Sequence, residues 1–92
     1  MIDIAAAEYK GDYRIAVAFS DGASGVVDFA KDFEFRGVFE PLKKREAFER
    51  FDVSPLPYRV IIWPDYNLDL APEFLYKKVT GHYPDYVEEA DA

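Results

Sequence analysis

The clearest pattern along the chain is a strict alternation of apolar residues with polar or small residues over residues 13–19. A period of two residues predicts a β-strand with one buried face. The pairs Gly11-Asp12 and Asp21-Gly22 flank this segment and predict tight turns, because these residues accept positive φ. Looser apolar patterns over residues 2–10 and 25–29 predict a further strand on either side. The first third of the chain therefore predicts a three-stranded antiparallel meander.

A second apolar stretch, residues 58–76, predicts several elements in immediate succession. Residues 58–63 are rich in β-branched and aromatic residues, which is typical of a buried strand, and the run ends at Trp63. Pro64 lacks an N–H and stops this strand, and residues 68–71 are expected to return as its hairpin partner. Pro72 suits the first turn of a helix, and the apolar spacing after it supports a helix there.

The segments between these two stretches complete the predicted fold. Residues 30–42 hold large apolar side chains in irregular order, among them Phe33, Phe35, Val38 and Phe39, which predicts a packed connection. Residues 43–51 predict a short amphipathic helix. Together the patterns predict an α+β fold, with an antiparallel sheet of about five strands (the three-stranded meander plus the later hairpin) and two short helices. We expect residues 1–82 to form a single α+β domain and residues 83–92 to form an acidic C-terminal tail.

Composition narrows the class of protein. Of the 92 residues, 50% are hydrophobic and 17% are aromatic, which predicts a packed core and argues against disorder. The chain has no cysteine, so disulfides, thiolate metal sites and a cysteine nucleophile are excluded, and it fits a reducing cytosol. Residues 1–9 lack the basic and apolar segments of a secretory signal, and no apolar run is long enough to cross a bilayer. We therefore expect a cytoplasmic protein that does not contact membranes.

The charge balance indicates which partners the chain attracts. Its net charge is −7, with 11 basic residues against 18 acidic ones. This charge repels the phosphates of nucleic acid and of anionic lipid, so direct nucleic-acid binding is not expected. It favours a protein partner of opposite, basic charge. The exposed edges expected of a small meander and the many aromatic residues also predict self-association as a homodimer.

The polar residues give little indication of catalysis. His82 is the only histidine, so a two-histidine metal site is excluded, and its place after a helix is typical of a solvated residue. The segment around Ser24 resembles a nucleophile elbow only superficially, since a hairpin explains its glycines. Asp65 and Asp69 fit turn and strand positions, whereas Asp28 would need a hydrogen-bond donor if its face were covered. The sequence therefore predicts no catalytic site, no cofactor and no metal.

The acidic tail is the best candidate for contact with another protein. Tyr83 and Tyr86 flank Pro84-Asp85, and they could either anchor the tail on its own core or contact a partner. The sequence leaves both interpretations open. The residues expected to bind a partner are Tyr83, Asp85, Tyr86, Glu88 and Glu89.

Over roughly residues 15–76, the chain carries a series of short motifs in a fixed order. They are Phe19-Ser20-Asp21-Gly22, Val27-Asp28-Phe29, Gly37-Val38-Phe39-Glu40-Pro41-Leu42 with Phe48, Ile62-Trp63-Pro64, and Asp69-Leu70-Ala71-Pro72-Glu73 with Leu75-Tyr76. In these motifs the chain resembles a bacterial family of small uncharacterised proteins, catalogued as domain of unknown function 2442. The resemblance implies an α+β fold without a recognised active site. It also implies structural roles for the motif residues Asp21, Gly22, Asp28, Trp63, Pro64, Pro72 and Tyr76.

Members of that family look like partners of a second small protein encoded nearby, an arrangement similar to toxin-antitoxin pairs. The resemblance and the charge together lead us to expect a non-enzymatic cytosolic protein-binding module, in its sharpest form an antitoxin-like partner of a small basic protein. A rival expectation is a small enzyme or ligand-binding protein that uses carboxylates in an aromatic-lined cleft. A third is a structural subunit of a larger assembly.

Overall fold

The computed structural model describes residues 1–87 of the chain, and within them it confirms the α+β class. The strands pair in two three-stranded antiparallel sheets, accompanied by three short α-helices and two 3-10 helices. The strands are β1 (Ile4–Gly11), β2 (Arg14–Phe19), β3 (Ser24–Asp28), β4 (Asp52–Val53), β5 (Ile61–Trp63) and β6 (Leu68–Leu70). The α-helices are α1 (Phe29–Asp32), α2 (Arg45–Phe48) and α3 (Pro72–Thr80), and the 3-10 helices are Gly37–Lys43 and Pro64–Tyr66.

The first sheet is the meander that the sequence predicts. β2 lies in its middle, with β1 and β3 antiparallel on either side. The alternation along β2 has the expected outcome, since Ile15, Val17 and Phe19 are buried while Arg14 is exposed. The turn between β2 and β3 contains Gly22 with a φ of +94°, a conformation that glycine adopts without strain.

The later hairpin forms a sheet of its own and does not extend the first. β5 lies in the middle of this second sheet, between β4 and β6. The predicted strand over residues 58–63 begins too early, because Tyr58 is 67% exposed and β5 starts at Ile61. β4 is too short to leave a sequence pattern, since only Asp52 and Val53 pair with β5. Residues 1–87 thus contain six strands in two sheets, whereas the sequence predicted about five strands in one.

The core fills the space where the two sheets and α2 meet. The backbone N–H of Ile4 donates to the backbone oxygen of Arg59 at 3.0 Å, which links β1 to the segment leading into β5. The indole Nε1–H of Trp63 donates to the backbone oxygen of Phe48 at 2.8 Å, and both side chains are buried. Their rings lie 5.9 Å apart, centre to centre. Trp63 therefore ties the second sheet to α2 through packing and through a hydrogen bond.

Two helices can be compared with the prediction: α2 is shorter than predicted, and α3 packs on the first sheet. The predicted helix over residues 43–51 is reduced to α2, because Lys44 has an extended backbone that separates it from the preceding 3-10 helix. α3 lies against β3, where Gly25 leaves room for Val79. Gly81, with a φ of +89°, ends α3 by donating its N–H to the backbone oxygen of Lys77. Among residues 1–87, no helix combines the length and the apolar character needed to cross a membrane.

Candidate functional site

An open cleft lies beside the turn between β2 and β3, the second half of α3 and the segment that follows α3. Its volume is about 420 Å³. It gathers residues from both ends of the chain and from the glycine turn in one place. The lining residues are Met1, Ile2, Ser20, Asp21, Tyr76, His82, Pro84, Asp85 and Tyr86.

The Asp21 carboxylate is held by two donors at the rim of this cleft. Its Oδ1 accepts the backbone N–H of Ala23 at 2.9 Å, and its Oδ2 accepts the hydroxyl of Tyr76 at 2.8 Å. These two hydrogen bonds, the one from Ala23 first, lower the pKa of Asp21 below its usual value of 3.8. The hydrogen bond to Asp21 and burial raise the pKa of Tyr76 above 10.0. At neutral pH this pair is consequently a fixed carboxylate with a protonated phenol beside it.

Tyr86 fixes the segment after α3 to the rest of the fold. Its hydroxyl accepts the backbone N–H of Ile2 at 2.9 Å and donates to Oε2 of Glu73 on α3 at 2.6 Å. Burial, followed by the hydrogen bond to Glu73, raises the pKa of Tyr86 above 10.0. Tyr86 is still 49% exposed, so its hydroxyl anchors the segment while part of the residue lies open to solvent.

His82 and Tyr83 complete this end of the molecule. The His82 ring stands edge-on to the Tyr76 ring, with centres 5.7 Å apart, and its Nδ1 lies 2.9 Å from the backbone oxygen of Tyr83. The Lys77 ammonium lies over the Tyr83 ring, 4.5 Å from its centre. His82 is exposed, as predicted for a residue after a helix, yet it also contributes to the wall of the cleft.

The predicted partner-binding residues divide into three groups. Asp85 and Tyr86 line the cleft, and both are exposed. Tyr83 is partly buried and does not line it. Glu88 and Glu89 lie outside the described residues. For Tyr86, the structure favours the anchoring role that the sequence left open, although its exposed part could still contact a partner.

The motif residues have mostly packing and turn roles, with one exception. Pro72 is buried in the first turn of α3, and Pro64 begins the 3-10 helix after Trp63. Within residues 1–87, Oδ1 of Asp28 is a buried side-chain oxygen with no hydrogen-bond partner. The donor that the sequence required for Asp28 is therefore not supplied by its own described residues.

The chemistry available in the cleft is that of cation recognition. Two carboxylates, Asp21 and Asp85, stand beside aromatic rings, and carboxylate oxygens and ring faces both attract ammonium and guanidinium groups. Within residues 1–87, no group of three or more histidine or acidic side chains is arranged to hold a metal ion. Sequence reasoning named Glu73 only as part of a family motif, and it identified Asp21 and Tyr76 only as motif residues. Their contact joins positions 55 residues apart and leaves no local pattern.

A sequence profile described as protein of unknown function (DUF2442) matches residues 4–81, which include all six strands and α3. The chain belongs to this family, as the motifs of the sequence indicated. No curated protein and no solved structure matches the chain significantly.

Proposed function

We propose that this DUF2442 chain is a non-enzymatic protein-binding module of the cytoplasm, and that its cleft receives a lysine or arginine side chain of a small basic protein. The observation that carries the proposal is the fixed Asp21 carboxylate at the rim of an open cleft that Asp85 also lines. A charged carboxylate whose orientation is already set by two donors recognises a guanidinium or ammonium group at little further ordering cost.

The ionisation of the cleft supports binding more than catalysis. A carboxylic acid that donates a proton in a reaction needs a raised pKa, whereas the pKa of Asp21 is lowered. The raised pKa values of Tyr76 and Tyr86 keep both phenols protonated at neutral pH, so they act as hydrogen-bond donors and not as bases. These directions argue against Asp21 as the proton-donating member of a pair of catalytic acids.

The charge of the whole chain supports the same partner chemistry. A net charge of −7 accelerates the encounter with a basic surface and opposes the binding of nucleic acid. In the sharpest form of the proposal, the partner is a small basic toxin-like protein and this chain neutralises it. That form depends on the family resemblance and on the charge.

Affinity capture from native cytosol, followed by binding measurements with the recovered protein, tests the proposal. We expect a small basic partner whose affinity falls with salt and falls about two- to fivefold in Asp85→Asn, which removes one exposed charge from the cleft. Asp69→Asn is the matched control, because it removes the same charge from an exposed position on β6. Equal affinities for the two variants, or a partner that is acidic, would overturn the proposal.

Three further experiments refine the result. Deleting residues 83–92 should weaken binding, since the deletion removes Asp85 and Tyr86 from the cleft. Tyr83→Ala should mainly accelerate dissociation if this ring contacts the partner, and it should leave the kinetics unchanged if the ring serves only Lys77. For the antitoxin-like form, expression of the partner alone should slow growth and co-expression of this chain should restore it.

A further inference from the structure

The four edge strands of the two sheets differ in how they are protected against pairing with another chain. β1 has irregular register near both ends, its Ile4 N–H is already bound to Arg59, and it carries Lys10. β4 has two residues, and β6 has three with Asp69 in the centre. Bulges, charges and shortness are the usual protections of an edge. β3 has five residues, a regular register with β2, and neither lysine nor proline, and its one charged residue, Asp28, stands at its end.

The hydrogen bonds at both ends of the β2–β3 pair reveal which backbone groups of β3 point outward. The N–H of Phe29 donates to the oxygen of Tyr13 at 2.9 Å, and the N–H of Phe19 donates to the oxygen of Ala23 at 2.8 Å. In an antiparallel pair, hydrogen-bonded residues alternate with residues that are not bonded to that neighbour. Given the register, Gly25 and Val27 direct their N–H and C=O groups toward β2. The alternate residues of the strand direct theirs to the open edge, and these residues are Ser24, Val26 and Asp28.

Two of these three residues also have exposed side chains. Ser24 is exposed, and Val26, an apolar side chain, is 55% exposed. Asp28 is partly buried, and its Oδ1 is the oxygen that lacks a hydrogen-bond partner among residues 1–87. An open backbone edge and an exposed valine therefore coincide on one short strand, whereas the buried Oδ1 of Asp28 lies out of reach of a second copy.

We propose that two copies of this chain pair through β3, antiparallel, about a two-fold axis at Val26. In this register Val26 faces Val26 of the second copy, and the two exchange both of their backbone hydrogen bonds. Ser24 faces Asp28 of the second copy. The sequence of β3 is self-complementary in this arrangement, as a two-fold interface requires. The two first sheets become one continuous six-stranded sheet.

The size of the interface sets the expected strength of the dimer. A stable interface takes about 800 Å² from each partner, and edge pairing through three residues takes less. We therefore expect a dimer that forms on concentration and dissociates on dilution. The pairing does not use the residues that line the cleft, so this inference and the proposed function can fail independently.

Sedimentation equilibrium of the whole chain across a wide concentration range tests the pairing, with Val26→Lys as the main variant. Two lysines would face each other at the axis, so the dimer dissociation constant should rise about tenfold or more. Ala6→Lys is the matched control, because it adds the same charge at an exposed position of β1, and it should dimerise like the unmodified chain. Val26→Pro is a second variant, since it removes an N–H that β2 does not use. Circular dichroism checks that each variant is folded.

Amide hydrogen exchange supplies a readout that locates the interface. The amides of Ser24, Val26 and Asp28 should exchange more slowly as concentration rises, whereas those of Gly25 and Val27 should be protected at every concentration. A chain that stays monomeric throughout would overturn the proposal. So would a folded Val26→Lys variant that dimerises like the unmodified chain, or slowed exchange that appears elsewhere but not on β3.

Discussion

Replacing Trp63 with phenylalanine tests how the second sheet is held to α2. Trp63 is 1% exposed, and a buried tryptophan covers about 150–250 Å². At about 25 cal/mol per Å², that burial is worth about 4–6 kcal/mol, so Trp63→Ala should cost about 3–5 kcal/mol. This is a large share of the roughly 5–15 kcal/mol that stabilises a domain, and the alanine variant could unfold altogether. Phenylalanine keeps most of the apolar contact.

The phenylalanine variant removes the hydrogen bond at 2.8 Å between Trp63 and Phe48, together with a smaller part of the indole's packing. It leaves the buried backbone oxygen of Phe48 without its donor, which should cost about 1–3 kcal/mol. Urea unfolding followed by far-UV circular dichroism measures this loss, because circular dichroism does not depend on the indole itself. Tyr66→Phe, at a side chain that is 41% exposed, is the control and should change stability by less than about 0.5 kcal/mol. If Trp63→Phe were as stable as the control, the link through this hydrogen bond would be refuted.

Three further predictions concern the turn, the contact of α3 and the acid range. Gly22→Val should lower the melting temperature because its φ is +94°, whereas Ser24→Ala at low concentration should change stability by less than about 0.5 kcal/mol. Gly25→Ala should destabilise the fold, since its Cβ would lie 2.8 Å from Cγ1 of Val79, and adding Val79→Ala should recover part of the loss in a double-mutant cycle. The lowered pKa of Asp21 contributes stability above the unfolded value near 3.8, and this is lost as pH falls through the folded value. Urea unfolding at several pH values should show less acid dependence in Asp21→Asn. The first prediction is contradicted by a Gly22→Val variant that melts at the same temperature as the unmodified chain. The second is contradicted by a double-mutant cycle without a coupling energy, and the third by an unchanged acid dependence in Asp21→Asn.

The elements that the sequence predicted well are those with a strong local period. The alternation along residues 13–19 predicted β2 nearly to the residue, and Pro72 predicted the start of α3. β4 was missed because two residues cannot show a period. The predicted helix over residues 43–51 was too long, because Lys44 has an extended backbone and α2 ends at Phe48, and the residue spacing marks neither limit.

The candidate site was harder to predict than the fold. Asp85 and Tyr86 were identified because they form a local cluster of charge and aromatic character in the sequence. The pairing of Asp21 with Tyr76, and that of Tyr86 with Glu73, depend on how the helix lies against the turn, and residue pattern does not encode such geometry. The division into two sheets was missed for the same reason, since pairing partners beyond a hairpin are determined by tertiary packing.

The cleft has a further consequence for the order in which the parts of the molecule fold during synthesis. Its hydrogen bonds join Asp21 to Tyr76 across 55 residues and Ile2 to Tyr86 across 84 residues, whereas β1, β2 and β3 need only neighbouring hairpins. During synthesis the first meander can form early, but the complete cleft cannot form until residue 86 has left the ribosome. A partner that binds there would distinguish chains that include residue 86 from shorter nascent or truncated ones.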